Sequence, residues 1–163
     1  MDPALWREPV RFFLDSSVLF SAAVSHTGAS RALFALAELG LVRLPACSYV
    51  LEEVERSLHW KNPMALTPLR LLIQRSGLEI LPDATREEIE PWLSVSPDPD
   101  DAPILAAAVR AHPARLITLD EKHLIAPPQA AARTGLIFRT PGQVMQEIRQ
   151  YLDVGFERGV SGA

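Results

Sequence analysis

Val10-Arg11-Phe12-Phe13-Leu14-Asp15-Ser16-Ser17 is the stretch on which the fold turns. A short apolar run breaks off at one carboxylate and two small hydroxyl residues, and helical spacing follows at once over 17–24. A buried strand feeding directly into a helix produces that pattern. Outward along the chain, short apolar runs bounded by turn signals recur at 41–44, 78–81, 115–119 and 136–138. Between them lie stretches of helical period. Strand and helix therefore alternate, which calls for an α/β fold with a parallel central sheet sandwiched by helices in three layers.

The helical stretches carry their own start and stop signals. Residues 30–39 are apolar at Ala32, Leu33, Leu36 and Leu39 and end at Gly40, which suits a helix C-terminus. Ser48 reads as the N-cap of a helix running through Val50, Leu51, Val54 and Leu58 to His59. Thr67-Pro68 opens another, closed by Gly77. Thr85 with Glu88 spells a capping box, and Pro91 limits the helix it starts. Residues 102–111 are small and strongly helical, and Thr140-Pro141 opens an amphipathic helix through Val144, Met145, Ile148 and Tyr151. The domain is expected over 10–152, with 1–9 an extension and 153–163, rich in Gly and Ser, a flexible tail.

With 163 residues, of which 48% are hydrophobic and 22% charged, the chain suits one compact domain. The start has no apolar run behind its charged residues, so neither a signal peptide nor a membrane span is expected, and the cytoplasm is the expected compartment. Cys47 is the single cysteine and reads as core, which excludes a disulfide framework or a multi-cysteine zinc site. His26, His59, His112 and His123 show no zinc-ligand spacing. A net charge of −4 argues against binding nucleic acid through a broadly basic face. Arg56, Lys61, Arg70, Arg75, Arg110 and Lys122 are the cations available for a local one, although scattered cations on helices ordinarily face solvent.

The acids are less ordinary. Asp15 and Asp120 each end a strand and precede a helical turn, the edge at which open parallel sheets bind ligands. Asp98, Asp100 and Asp101 open the helix that follows, where exposed amides favour carboxylates, and capping accounts for one of the three. Glu53, between Glu52 and Val54, reads by itself as a solvated helix glutamate. Two strand-end acids and an acidic cluster together make a pocket of like charge. A divalent cation relieves that repulsion, and Mg2+ or Mn2+ takes carboxylate oxygens alongside phosphate oxygens.

At these residues the sequence resembles the PIN-domain family, in particular bacterial PIN ribonucleases acting as toxins of toxin–antitoxin pairs. The likeness runs through Leu14-Asp15-Ser16-Ser17, Leu51-Glu52-Glu53-Val54, Asp98-Pro99-Asp100-Asp101 with its Ala-rich helix, Leu116-Ile117-Thr118-Leu119-Asp120, and Gly135-Leu136-Ile137-Phe138-Arg139-Thr140-Pro141. The resemblance implies Asp15, Glu53, Asp101 and Asp120 as a catalytic and metal-binding quartet, Asp98 as an accessory ligand, and Ser17 and Thr118 as hydroxyls supporting the carboxylates. Glu52 competes with Glu53, which the apolar spacing of Val54 and Leu58 favours. The proline-bearing stretch 61–68 departs from the family. An RNA substrate, a cognate antitoxin and a homodimer are implied with it. Against this stand a non-cleaving PIN-like module binding RNA or protein, and phosphotransfer or phosphatase domains on a similar sheet. Haloacid-dehalogenase phosphatases need an acid where Ser17 stands, and receiver domains need an acid pair that Leu14-Asp15 does not supply.

Overall fold

A computed structural model describes residues 8–160, with the side chains of 154–160 left aside. Strand β1 (Val10–Leu14) is the centre of the molecule. Phe12, Phe13 and Leu14 are all fully buried. Successive strand residues point to opposite faces, so both faces of β1 are covered. β1 pairs in parallel with β2 (Val42–Arg43) on one side and β5 (Arg115–Ile117) on the other, and β6 (Phe138–Arg139) extends the sheet beyond β5. β3 (Pro45–Cys47) and β4 (Glu79–Leu81) form a second parallel pair. Arg11 joins the two, donating from Nε and Nη2 to Glu79 at 3.2 and 3.0 Å.

The helices are α1 (Ser16–Val24), α2 (Ala29–Glu38), α3 (Ser48–Lys61), α4 (Leu66–Ser76), α5 (Arg86–Ile89), α6 (Asp101–Ala111), α7 (Pro128–Thr134) and α8 (Pro141–Val160). They flank a parallel sheet in the expected α/β architecture. The Thr85–Glu88 capping box forms with both reciprocal bonds. Thr140 and Gln143 make the same exchange at the start of α8. Gly77 closes α4 at φ 60°, a left-handed conformation that a side chain at this position would strain.

Three local expectations need correcting. The apolar run 41–44 is divided between β2 and β3, because Pro45 cannot donate to a ladder and restarts the strand. Ser48 is the first residue of α3, and Cys47 takes the cap position. The amide of Tyr49 instead donates 2.7 Å to Asp83 Oδ1, a cap supplied from 34 residues away. α7 had no expected counterpart. The backbone over 153–160 is helical to Val160, Gly155 and Gly159 each costing a helix only about 1 kcal/mol. Residues 161–163, like 1–7, lie outside the described part. Among the described residues no helix is long and apolar enough to cross a membrane.

Candidate active site

Asp15 stands where β1 ends and α1 begins. The strand holds its backbone, with the Asp15 amide donating 3.0 Å to the Ile117 carbonyl of β5. Its carboxylate is only 5% exposed yet accepts three strong hydrogen bonds. Oδ1 takes the Ser16 amide at 2.8 Å, and Oδ2 takes the hydroxyls of Ser17 and Thr118, each at 2.7 Å. The direction of those hydroxyl bonds follows from their other partners. Ser17 Oγ accepts the Leu119 amide and Thr118 Oγ1 accepts the Asp120 amide, both at 3.0 Å. A hydroxyl with an amide on its lone pair has its proton left for Asp15. The two hydroxyls therefore tie the ends of β1 and β5 to one carboxylate.

Asp120 follows β5 and caps the π-helical turn Glu121–Ile125. Its Oδ1 accepts the His123 amide and its Oδ2 lies on His123 Nδ1, each at 2.9 Å. Of the four histidines, His123 is the one that touches a candidate acid.

The acidic cluster divides its work. Asp98 Oδ1 accepts the Asp100 amide at 3.0 Å, so local capping accounts for Asp98. Asp100 faces α3, where the Tyr49 hydroxyl donates to it and its charge, with that of Glu53, adds to the burial that raises the Tyr49 pKa. Asp101 receives a short hydrogen bond from Ser96. Burial first, then the charges of Asp15, Asp98 and Asp120, push its carboxyl up to about 6 against the Ser96 bond. Asp101 thus lies in the field of Asp15 and Asp120, while Asp100 is engaged by Tyr49.

On α3, Glu52 is exposed while Glu53 is half-buried above the fully buried Val54. Burial raises the Glu53 pKa; the Ser16 hydrogen bond and Arg56 oppose the shift, and Asp15 and Asp100 add to it. Its Oε2 is buried without any hydrogen-bond partner. Such an atom ordinarily finds a donor, an ion or water. Hard oxygen donors, mutual repulsion and an orphaned carboxylate oxygen fit a divalent cation in kind. In this arrangement, however, no three His, Cys, Asp or Glu side chains among the described residues form a closed metal-binding group. Asp101 is turned to Ser96 and Asp120 to His123, so closing on an ion exchanges those bonds.

Ser96 and Tyr49 escaped sequence reasoning. Ser96 does carry a local signal, because the Asp98 amide bonds back to its hydroxyl at 3.2 Å in a turn that Ser-Pro-Asp favours. Of the cations, Arg110 is committed to Glu88 and to the carbonyls of Pro82 and Asp83. Lys61 lies on a cleft beside Glu53.

The raised Asp101 carboxyl has a measurable sign. The folded state holds this proton more tightly than the unfolded chain, so the ion-free protein loses stability as pH rises from about 4 through 6, and the loss is complete above. Asp101→Asn keeps an acceptor for Ser96 and removes the charge. In EDTA its Tm is expected to exceed the parent's at pH 7.5 and to converge with it at pH 4. A difference independent of pH would show that charge is not the cause.

The family model described as PIN domain matches residues 11–122. No curated protein matches the sequence. Among solved structures, the chain is similar to VapBC2 from Rickettsia felis, bound to a DNA fragment from its promoter, with 19% identity, a TM-score of 0.59, and 80% of this chain and 98% of that one covered. It is similar also to PAE2754 from Pyrobaculum aerophilum, at 13% identity and a TM-score of 0.61 over 90% and 95%. At these identities the likeness is one of fold.

Proposed function

The chain belongs to the PIN-domain family, and from that premise we propose that it is a metal-dependent ribonuclease that hydrolyses RNA phosphodiester bonds. The observation that carries this reading is the Asp15 carboxylate, held by three donors that bridge β1 and β5 and placing its charge, with those of Asp98 and Asp120, on Asp101. Asp15, Asp101, Asp120 and Glu53 would hold Mg2+ or Mn2+, with Asp98 accessory. When bound, such an ion supplies a Lewis acid that polarises a phosphate oxygen and acidifies water.

The chain's own residues do the positioning. Ser17 and Thr118 hold the Asp15 carboxylate in one orientation, which keeps the geometry of attack from drifting. Glu53 Oε2 is buried with no donor of its own, which leaves it able to accept a proton. Its raised pKa makes it a better acceptor than an ordinary glutamate. His123 holds the Asp120 carboxylate until an ion takes its place.

In this reading the protein works in the cytoplasm as the toxin of a toxin–antitoxin pair, as a homodimer restrained by a cognate antitoxin. The resemblance of its motifs to toxin-type PIN ribonucleases supports this, together with the fold shared with VapBC2. A second reading, a non-cleaving PIN-like module that binds RNA or protein, draws on the absence of a closed metal group among the described residues. Titrating Mg2+ and Mn2+ against purified protein and single-stranded RNA, with EDTA as control and the cut ends sequenced, separates the two. Ion-dependent cleavage that EDTA abolishes is expected. RNA left whole at every ion concentration would sink hydrolysis and leave the binding module.

A further inference from the structure

A cleft of about 390 Å3 runs between α1 and α3 from Glu53, Ser16 and Ser17 to Lys61 at the end of α3. Its size suits one small ligand. Four arginines are committed to carboxylates: Arg11 to Glu79, Arg110 to Glu88, and Arg115 and Arg139 to Glu147. Among the described residues Lys61 has no carboxylate partner, and its Nζ rests 5.7 Å from the centroid of the Phe20 ring. Ser21 and Ser57 also line the cleft, and among the described residues neither hydroxyl has a hydrogen-bond partner. Beside an acidic site, then, lie an uncommitted cation, a half-buried aromatic ring and two open hydroxyls.

An anion carrying a flat, partly apolar body satisfies all three features together. Resting on the proposal that the chain cleaves RNA, we infer that this cleft seats the nucleotide next to the cut phosphodiester. Lys61 moves from the Phe20 ring to the neighbouring phosphate. The ring it uncovers takes the base or ribose, as aromatic side chains do in single-strand recognition. Ser21 and Ser57 meet polar edges or the 2′-hydroxyl, which marks RNA over DNA. The cleft lies on one side of the acids, so it selects the nucleotide on one side of the cut. A single placed cation also reconciles a net charge of −4 with a polyanionic substrate.

The test uses the full chain carrying Asp15→Asn, so that labelled single-stranded RNA survives the measurement, with binding followed by fluorescence anisotropy in Mg2+ at several salt concentrations. Adding Lys61→Ala is expected to weaken binding roughly tenfold at low salt and to lower the slope of log affinity against log salt by about 0.7. Lys61→Arg restores both. Adding Phe20→Leu is expected to weaken binding roughly fivefold with the salt slope unchanged, the signature of lost stacking. With Asp15 intact, Ser57→Ala shifts base preference on one side of the cut. If the Asp15→Asn protein binds RNA and both added changes leave affinity and slope as they were, the nucleotide sits elsewhere and the ribonuclease reading stands. If the unmodified chain neither binds nor cuts RNA, that reading fails and this one falls with it.

Discussion

Asp15→Asn is expected to lower RNA cleavage in Mg2+ by at least about a hundredfold while the protein stays folded. Residues that only support a metal ligand cost about 10–100-fold when removed, and Asp15 would be the ligand itself. The fold should survive because the losses and gains oppose each other. A carboxamide still accepts the Ser16 amide, but its nitrogen now faces Ser17 and Thr118, whose protons point at it. Those hydroxyls must reverse, and each hydrogen bond lost costs about 1 kcal/mol. Removing one charge from the field around Asp101 and Glu53 returns stability of the same order. The melting temperature should therefore move by only a few degrees, at roughly 2–4 °C per kcal/mol for a chain of this size. Cleavage by a folded Asp15→Asn protein at the parent rate would remove the proposed site altogether.

The largest loss of stability is expected from Glu147→Ala. Glu147 of α8 accepts Arg115 Nε from β5 at 3.1 Å and Arg139 Nε from β6 at 2.6 Å, so one carboxylate clamps a helix to two neighbouring strands. The Arg115 side chain is 10% exposed and that of Arg139 is 37% exposed. Truncating Glu147 leaves Arg115 charged in a nearly closed environment, which costs about 3–5 kcal/mol, whereas Arg139 recovers water. Thermal unfolding should fall on the order of 10 °C. Arg139→Ala, which breaks the more exposed arm, should cost only about 1 kcal/mol. Equal losses from the two variants would show that burial of Arg115 does not set the energy of the clamp.

The architecture was legible because it rests on short-range patterns. β1 was read at its observed bounds, and the Thr85 capping box and the Gly77 stop were visible as local chemistry. The misreadings share a cause. The cap on α3 comes from Asp83, 34 residues distant, and nothing near Ser48 announces it. In the same way, the ends of β1 and β5 placed Asp15 and Asp120 at one edge, but the hydroxyl ties between those ends join residues about a hundred positions apart.

By itself, then, the sequence determined which residue types fall at strand ends and helix starts, since periods of two and 3.6 and the turn residues act through adjacent backbone. It determined the α/β alternation and the placing of Asp15 at the end of β1, whereas β5 ends at Ile117, short of Asp120. The tertiary structure decided the rest of the constellation: that Glu53 rather than Glu52 turns inward, that Asp101 joins the strand-end acids while Asp100 turns to Tyr49, and that Lys61 stands uncommitted over Phe20. Burial, like-charge repulsion and the search of each polar atom for a partner depend on what the chain brings near from afar. Spacing along the chain does not contain that information.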